Sequence, residues 1–356
     1  MHMDIDKANT LMCSCSKHEW LEDYTLADTI IIMTCAFGIK KDYSMLVIAD
    51  VLKHAKQGSR IIATGCLAKL NKAELEAIPH LEVKSFNSVL QMLKDSSSSL
   101  QAKSYTPKIR QNTVIISSGC LKKCSYCVYP LIEEKYKSKP MEDILSEVSI
   151  LQQTEPVIYI TGAQETSDYG VDLYGTRKFS YLLGQICVKF PNTLFVIGWF
   201  NPDGLTDDVV SIIEKYKNII HIMLHMQHND NNILRNMHRP CFEVTESKIK
   251  RLHSVRPDIQ ISTEVIVGFP GETEEIFNRL VDYLEENMEL FHDIGVASYE
   301  PVMNTLAATL TNLPDYSVRQ RRMEIIRKKF NATAYPAPED FKPLLSSFIE
   351  ASLYLG

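Results

Sequence analysis

The sequence holds no apolar run long enough to cross a bilayer. The longest, TIIIMTCAF from Thr29 to Phe37, falls far short of the roughly 20 residues a spanning helix needs. The N-terminus lacks the apolar stretch of a secretory leader, and its MHM start reads as a cloning remnant. Positive charge is not in excess. With 38 Lys and Arg against 44 Asp and Glu, the net charge is −6, which removes any global electrostatic case for nucleic acid. No internal repeat of solenoid type is present. Also missing is the even cysteine set of a small secreted fold. The chain has 356 residues and nine cysteines, and at this length a core forms without disulfide staples. Reduced thiols serving metal, in a cytoplasmic compartment, are the expectation.

A serine-rich break, DSSSSLQAKSYTPK, reads as a linker over residues 96–110. Before it, residues 3–95 carry a small α/β pattern. ADTIIIMTCAF and GSRIIATGC read as buried strands that each end in a cysteine, and DYSMLVIADVLKHAKQ as the helix between them. NKAELEAI reads as a further helix capped by Asn71. After the linker, residues 111–312 hold six strand-like runs separated by helical patterns, from NTVIISSG to DIGVASYE. Six β/α units predict a parallel sheet curved into a partial barrel, with its chemistry at the C-terminal strand ends. Residues 313–356 read as a helical tail, with a basic stretch from Arg319 to Lys329 taken as a solvated face and a final apolar segment suited to a docking helix.

The chemistry concentrates in SSGCLKKCSYCVYP, where Cys120, Cys124 and Cys127 stand at C-x3-C-x2-C behind the first barrel strand. Three soft thiolates favour iron–sulfur or zinc. Structural zinc needs a fourth ligand, and no neighbouring His or Cys supplies one. A [4Fe–4S] cluster held by three thiolates leaves one iron open.

That spacing, after the first strand of a β/α barrel, resembles the motif of radical S-adenosylmethionine (SAM) enzymes. The ordered segments SSGCLKKCSYC, YITGAQETSDYG, ILRNMHRP and TEVIVGFPGETEEIF resemble the methylthiotransferases within that superfamily. The resemblance implies an α/β fold, a partial (β/α)6 barrel preceded by a smaller α/β domain, and replacement of C–H by C–SCH3. It implies that SAM chelates the open iron, serving as radical source and methyl donor. Tyr126 corresponds to the aromatic placed against adenine. Thr161, Gly162 and Gln164 correspond to the segment that binds the SAM amino group, and Ile266 and Gly268 to the adenine contact. Glu264 replaces a usual Asp. Gln227 and Arg239 match family positions, but His228, Asn229 and Asp230 replace Ser-Gly-Ser and Met223 replaces a histidine. These departures line the substrate side.

The family's preceding domain carries a second, auxiliary [4Fe–4S] cluster. Cys35 and Cys66 match two of its ligands, with Met33 in place of Asn, and the third is Cys15 or Cys13. An electron donor such as flavodoxin or ferredoxin is the implied partner. Family members end in a TRAM domain of short strands, and no such pattern follows Phe330. With the negative charge, this favours a peptide or small-molecule substrate over tRNA. Cys187 reads as core and Cys241 as structural.

Overall fold

The computed structural model describes residues 23–36, 39–95, 112–131, 135–334 and 353–355. They divide into two compact units. One contains residues 23–95 with 353–355, the other 112–334.

In the first unit, β1 (Thr29–Thr34), β2 (Arg60–Gly65) and β3 (Leu81–Val83) lie parallel. Ile30, Ile31 and Ile32 are consecutive and all buried, the pattern of a strand covered on both faces. The helix Ile39–His54 crosses between β1 and β2, with Asp42 in its first turn and Lys53 and His54 in its last, complementing its dipole. The NKAELEAI segment differs from its reading. Its helix is Lys72–Glu76, directly preceded by another short helix, Cys66–Leu70, and the departure is in the cap. The Asn71 amide caps no backbone group and instead donates to Glu74 at 2.6 Å.

The second unit is an eight-stranded sheet. Its six successive parallel strands are β4 (Thr113–Ser118), β6 (Val157–Gly162), β7 (Leu194–Phe200), β8 (Ile219–Gln227), β9 (Gln260–Val267) and β10 (Asp293–Ser298). They are the six runs read from the sequence. The antiparallel β5 (Lys137–Ser138) borders β4, and β11 (Thr333–Ala334) borders β10. Helices pack on the sheet through apolar stripes. In Glu274–Glu286 the buried residues are Phe277, Leu280, Val281 and Leu284, spaced as one face of a helix. Thr273 caps that helix by accepting from the Ile276 amide at 3.3 Å, a bond worth about 1 kcal/mol.

The tail departs from its reading in two ways. Helix Tyr316–Phe330 belongs to the barrel unit, and its Arg319 and Arg322 are 6% and 3% exposed rather than solvated. The described end of the chain, β12 (Leu353–Leu355), is a strand rather than a helix and pairs antiparallel with β1. Cys13 and Cys15 lie outside the described residues.

Candidate active site

The C-x3-C-x2-C loop leaves β4 at its C-terminal end. All three thiols are partly exposed. The backbone amide of Lys122 donates to Cys120 Sγ at 3.4 Å, and the Cys127 amide to the Cys124 carbonyl at 3.1 Å. Burial pushes the Cys120 and Cys127 thiols up to about 12. A bare thiolate is disfavoured there, so the loop suits sulfurs whose charge is taken by metal. Two other segments hold the loop. The Ser125 amide donates to the Met237 carbonyl, and the Ala307 amide to the Ser125 carbonyl, at 3.1 and 2.8 Å. His238 Nδ1 lies 3.0 Å from the Lys123 carbonyl.

Lys122, within the loop, donates to Asp168 at 3.1 Å and Asp203 at 2.8 Å. Arg177 reaches the same two carboxylates at 2.9 and 3.0 Å. This four-charge network joins the cysteine loop to the loops after β6 and β7. Nearby, buried Glu165 accepts from the amides of Ser167 and Asn201 at 2.8 and 3.2 Å. None of these residues was singled out from the sequence. Their partners are distant along the chain, and the one available signal was a lysine between two ligand cysteines.

Tyr126 packs edge-on against Phe269, with ring centroids 6.4 Å apart and planes at 82°. Both join a cluster with Ile233, Leu234, Ile266 and Tyr299. The adenine-contact candidate Ile266 and the turn holding Gly268 are therefore brought against the cysteine loop. Arg239 arrives from the segment after β8. It donates to the His225 carbonyl and its guanidinium lies 4.0 Å from Cys124 Sγ. Gln227 closes β8 in a left-handed conformation with φ of 69°. Thr161 is buried and donates to the Gly162 carbonyl at 2.9 Å, and the Gly162 amide donates to Thr166 at 2.8 Å. Gln164 is half-buried in the following loop.

Glu264 falls on the wall of a cavity of about 140 Å³ that Trp199, Met223, His225, Thr263 and Gly295 also line. Trp199 and His225 stack at 5.2 Å with planes 9° apart, and Trp199 carries a φ of 48°. Such strain in a non-glycine residue collects at functional sites. His228 is fully buried, and its Nδ1 accepts from the amides of Asn229 and Asp230, each at 3.0 Å. That is a structural role. Cys187 is core. Cys241 is exposed at the start of the helix Phe242–Val255.

In the first unit, Thr34 and Gly65 are register partners at the ends of β1 and β2. Cys35 and Cys66 follow them directly, so adjacent parallel strands deliver both thiols to one sheet end. Gly65 is required there. Its φ is 101°, and a Cβ would lie 2.5 Å from the Thr34 carbonyl oxygen. The Cys35 amide donates to Ser44 Oγ at 2.9 Å, fixing the turn after β1.

The donor set fits a cluster better than a single ion. A cubane spreads three thiolates over separate irons, whereas a structural zinc closes on four ligands. Gln227 Oε1, Arg239 Nε and His225 Nε2 are buried without hydrogen-bond partners. Buried polar atoms are normally satisfied, and three orphans around the C-terminal end of β8 suit a polar ligand.

Residues 114–284 match the radical SAM superfamily model. The chain is 30% identical over 370 residues to the ribosomal protein uS12 methylthiotransferase RimO of Clostridioides difficile, covering 95% of this chain and 83% of the relative. It is 32% identical to the RimO of Desulforamulus reducens, covering 83% and 72%. Among solved structures, the radical SAM methyltransferase TsrM of Kitasatospora setae matches with a TM-score of 0.54 at 12% identity, over 75% of this chain and 61% of that one. The cobalamin-dependent radical SAM enzyme OxsB matches at 0.52 and 14%, over 92% and 55%. These two show the fold. With relatives alike along most of its length, the chain belongs to the radical SAM methylthiotransferase family.

Proposed function

We propose that this enzyme places a methylthio group on a C–H carbon of a protein side chain, using one [4Fe–4S] cluster with SAM at the barrel and a second cluster at the small sheet. The bound groups supply the radical chemistry and the sulfur. Cys120, Cys124 and Cys127 hold the barrel cluster in this reading, and Tyr126, Ile266 and the Gly268 turn form the wall beside it. Thr161, Gly162 and Gln164 border the site from β6, and Gln227 and Arg239 from β8. Cys35 and Cys66 hold the second cluster, with Cys15 or Cys13 as the third ligand. Glu264, Trp199 and His225 wall the cavity that admits the acceptor residue. An external one-electron donor of the flavodoxin or ferredoxin class, in a reducing cytoplasm, is the partner this chemistry requires.

The observation that carries the reading is the meeting of the cysteine loop, the Tyr126–Phe269 contact and the orphaned Gln227 and Arg239 atoms. A protein substrate is favoured by the relatives, whose names give ribosomal protein uS12. The test is anaerobic reconstitution with iron, sulfide, a reductant and SAM, followed by incubation with purified uS12 or bulk tRNA. The expected product is uS12 carrying one added S and CH2. A methylthiolated nucleoside instead of modified uS12 would overturn the substrate class. SAM cleavage with a sulfur-free product would overturn the role of Cys35 and Cys66.

A further inference from the structure

The turn Gly268–Glu272 follows β9 and forms part of the wall beside Tyr126. Its conformation is set from outside by the helix Tyr316–Phe330. Glu272 is fully buried at the centre. One of its carboxylate oxygens accepts from the amides of Gly268, at 2.6 Å, and Phe269, at 3.4 Å. The other accepts from Arg322 at 3.0 Å, and Arg322 also donates to the Glu272 carbonyl at 2.9 Å. His228 Nε2 stands 3.6 Å from the carboxylate. With Nδ1 accepting from two amides, the ring's proton lies on Nε2 and faces Glu272.

A second arginine presses on the turn from the same helix. Gly268 has a φ of 72°, and a Cβ there would lie 2.5 Å from Arg319 Cγ. Arg319 is itself fixed, donating to the Pro314 carbonyl at 2.8 Å and to Glu300 at 3.1 Å. Two arginines one helical turn apart thus grip both ends of a five-residue turn. The turn's Phe269 packs against Tyr126, which lies between Cys124 and Cys127 in the chain.

We propose that helix Tyr316–Phe330 is a clamp for the SAM site: Arg322 through Glu272, and Arg319 through Gly268, hold the turn in the shape that SAM binding needs. Arg319 and Arg322 are positioning residues, and neither touches the thiols. The inference rests on the reading of this turn as a SAM contact. The helix sits beyond the residues 114–284 that match the superfamily model, so the clamp is supplied by the segment outside that core.

The test compares wild type with R322M, R322K and E272Q, with R321M as control. Arg321 is on the same helix but half-exposed, and among the described residues it pairs with Glu274, which Arg322 also reaches. Two quantities are read. Amide hydrogen exchange at Gly268 and Phe269 is measured without any bound group. SAM affinity is measured by anaerobic equilibrium dialysis on reconstituted protein, and far-UV circular dichroism establishes that each variant is folded. The expected result is faster exchange at those two amides in E272Q and R322M, and SAM affinity about tenfold weaker or more. R322K should be intermediate, since it keeps charge but loses the second nitrogen, which reaches Glu274, and R321M should match wild type. Folded R322M and E272Q with wild-type exchange and wild-type SAM affinity would overturn the clamp. Faster exchange with unchanged SAM affinity would overturn its link to SAM. A reconstituted wild type that binds no SAM would instead overturn the reading of the turn itself.

Discussion

Replacing Lys122 by Met tests whether the cysteine loop is held by charge. Lys122 donates to Asp168 and Asp203, with the three side chains 18%, 4% and 35% exposed. Hydrogen bonds to charged groups contribute about 1.5–3 kcal/mol each. Stripping one partner from a buried pair costs about 3–5 kcal/mol when the other charge is orphaned. Here neither carboxylate is orphaned, because Arg177 stays within 2.9 and 3.0 Å of both. The loss should therefore be near ~2 kcal/mol, or about 4–8 °C in the melting temperature of a unit this size. Acid should close the gap. Burial raises the Asp203 carboxyl, but Lys122 and Arg177 more than offset it and hold it below the usual range. Its contribution is thus fully present above the unfolded carboxylate pKa of ~3.9 and is lost as pH falls through the lower folded value. Calorimetry at pH 7 and at acid pH, with iron retention after reconstitution, measures both effects. A K122M protein that melts with wild type at pH 7 and keeps its iron would refute the argument.

Further outcomes are expected elsewhere. C35A or C66A should remove one cluster's iron and leave the other, read by iron analysis and by the reduced-cluster electron paramagnetic resonance signal. G65A should destabilise the small sheet by about 1–3 kcal/mol, because a left-handed residue gains a Cβ against the Thr34 carbonyl; denaturant melts measure it. Burial pushes the His225 imidazole down, the Glu264 carboxylate opposes it more weakly, and the Arg239 charge adds to the lowering. The folded state then binds fewer protons than the unfolded one, so stability falls as pH drops below ~6.5 towards the folded value. H225F should flatten that slope in pH-dependent thermal melts.

The fold was legible where local pattern and tertiary role agree. The six barrel runs are apolar, so their positions could be read without partners. Cys120, Cys124 and Cys127 were legible because short spacing is itself geometry. Charges that pair across the chain were not. Lys122 meets acids 46 and 81 residues away, and Arg322 meets Glu272 at a separation of 50. A basic helix looks solvated until its partner strands are placed. Three apolar residues carry no period of their own, and Leu353–Leu355 is a strand because β1 offers an edge.

That edge pairing has a consequence for biosynthesis. Thr29 pairs with Leu355, so the strand that presents Cys35 waits for this neighbour until the barrel unit between them has been translated. The barrel unit, lying between, can complete its own pairing earlier. During that interval the β1 edge is open to strand addition by another chain, and closing the long loop is slow compared with local folding. Without Leu353–Leu355 that edge would stay open, and an intramolecular pairing would give way to strand addition between chains.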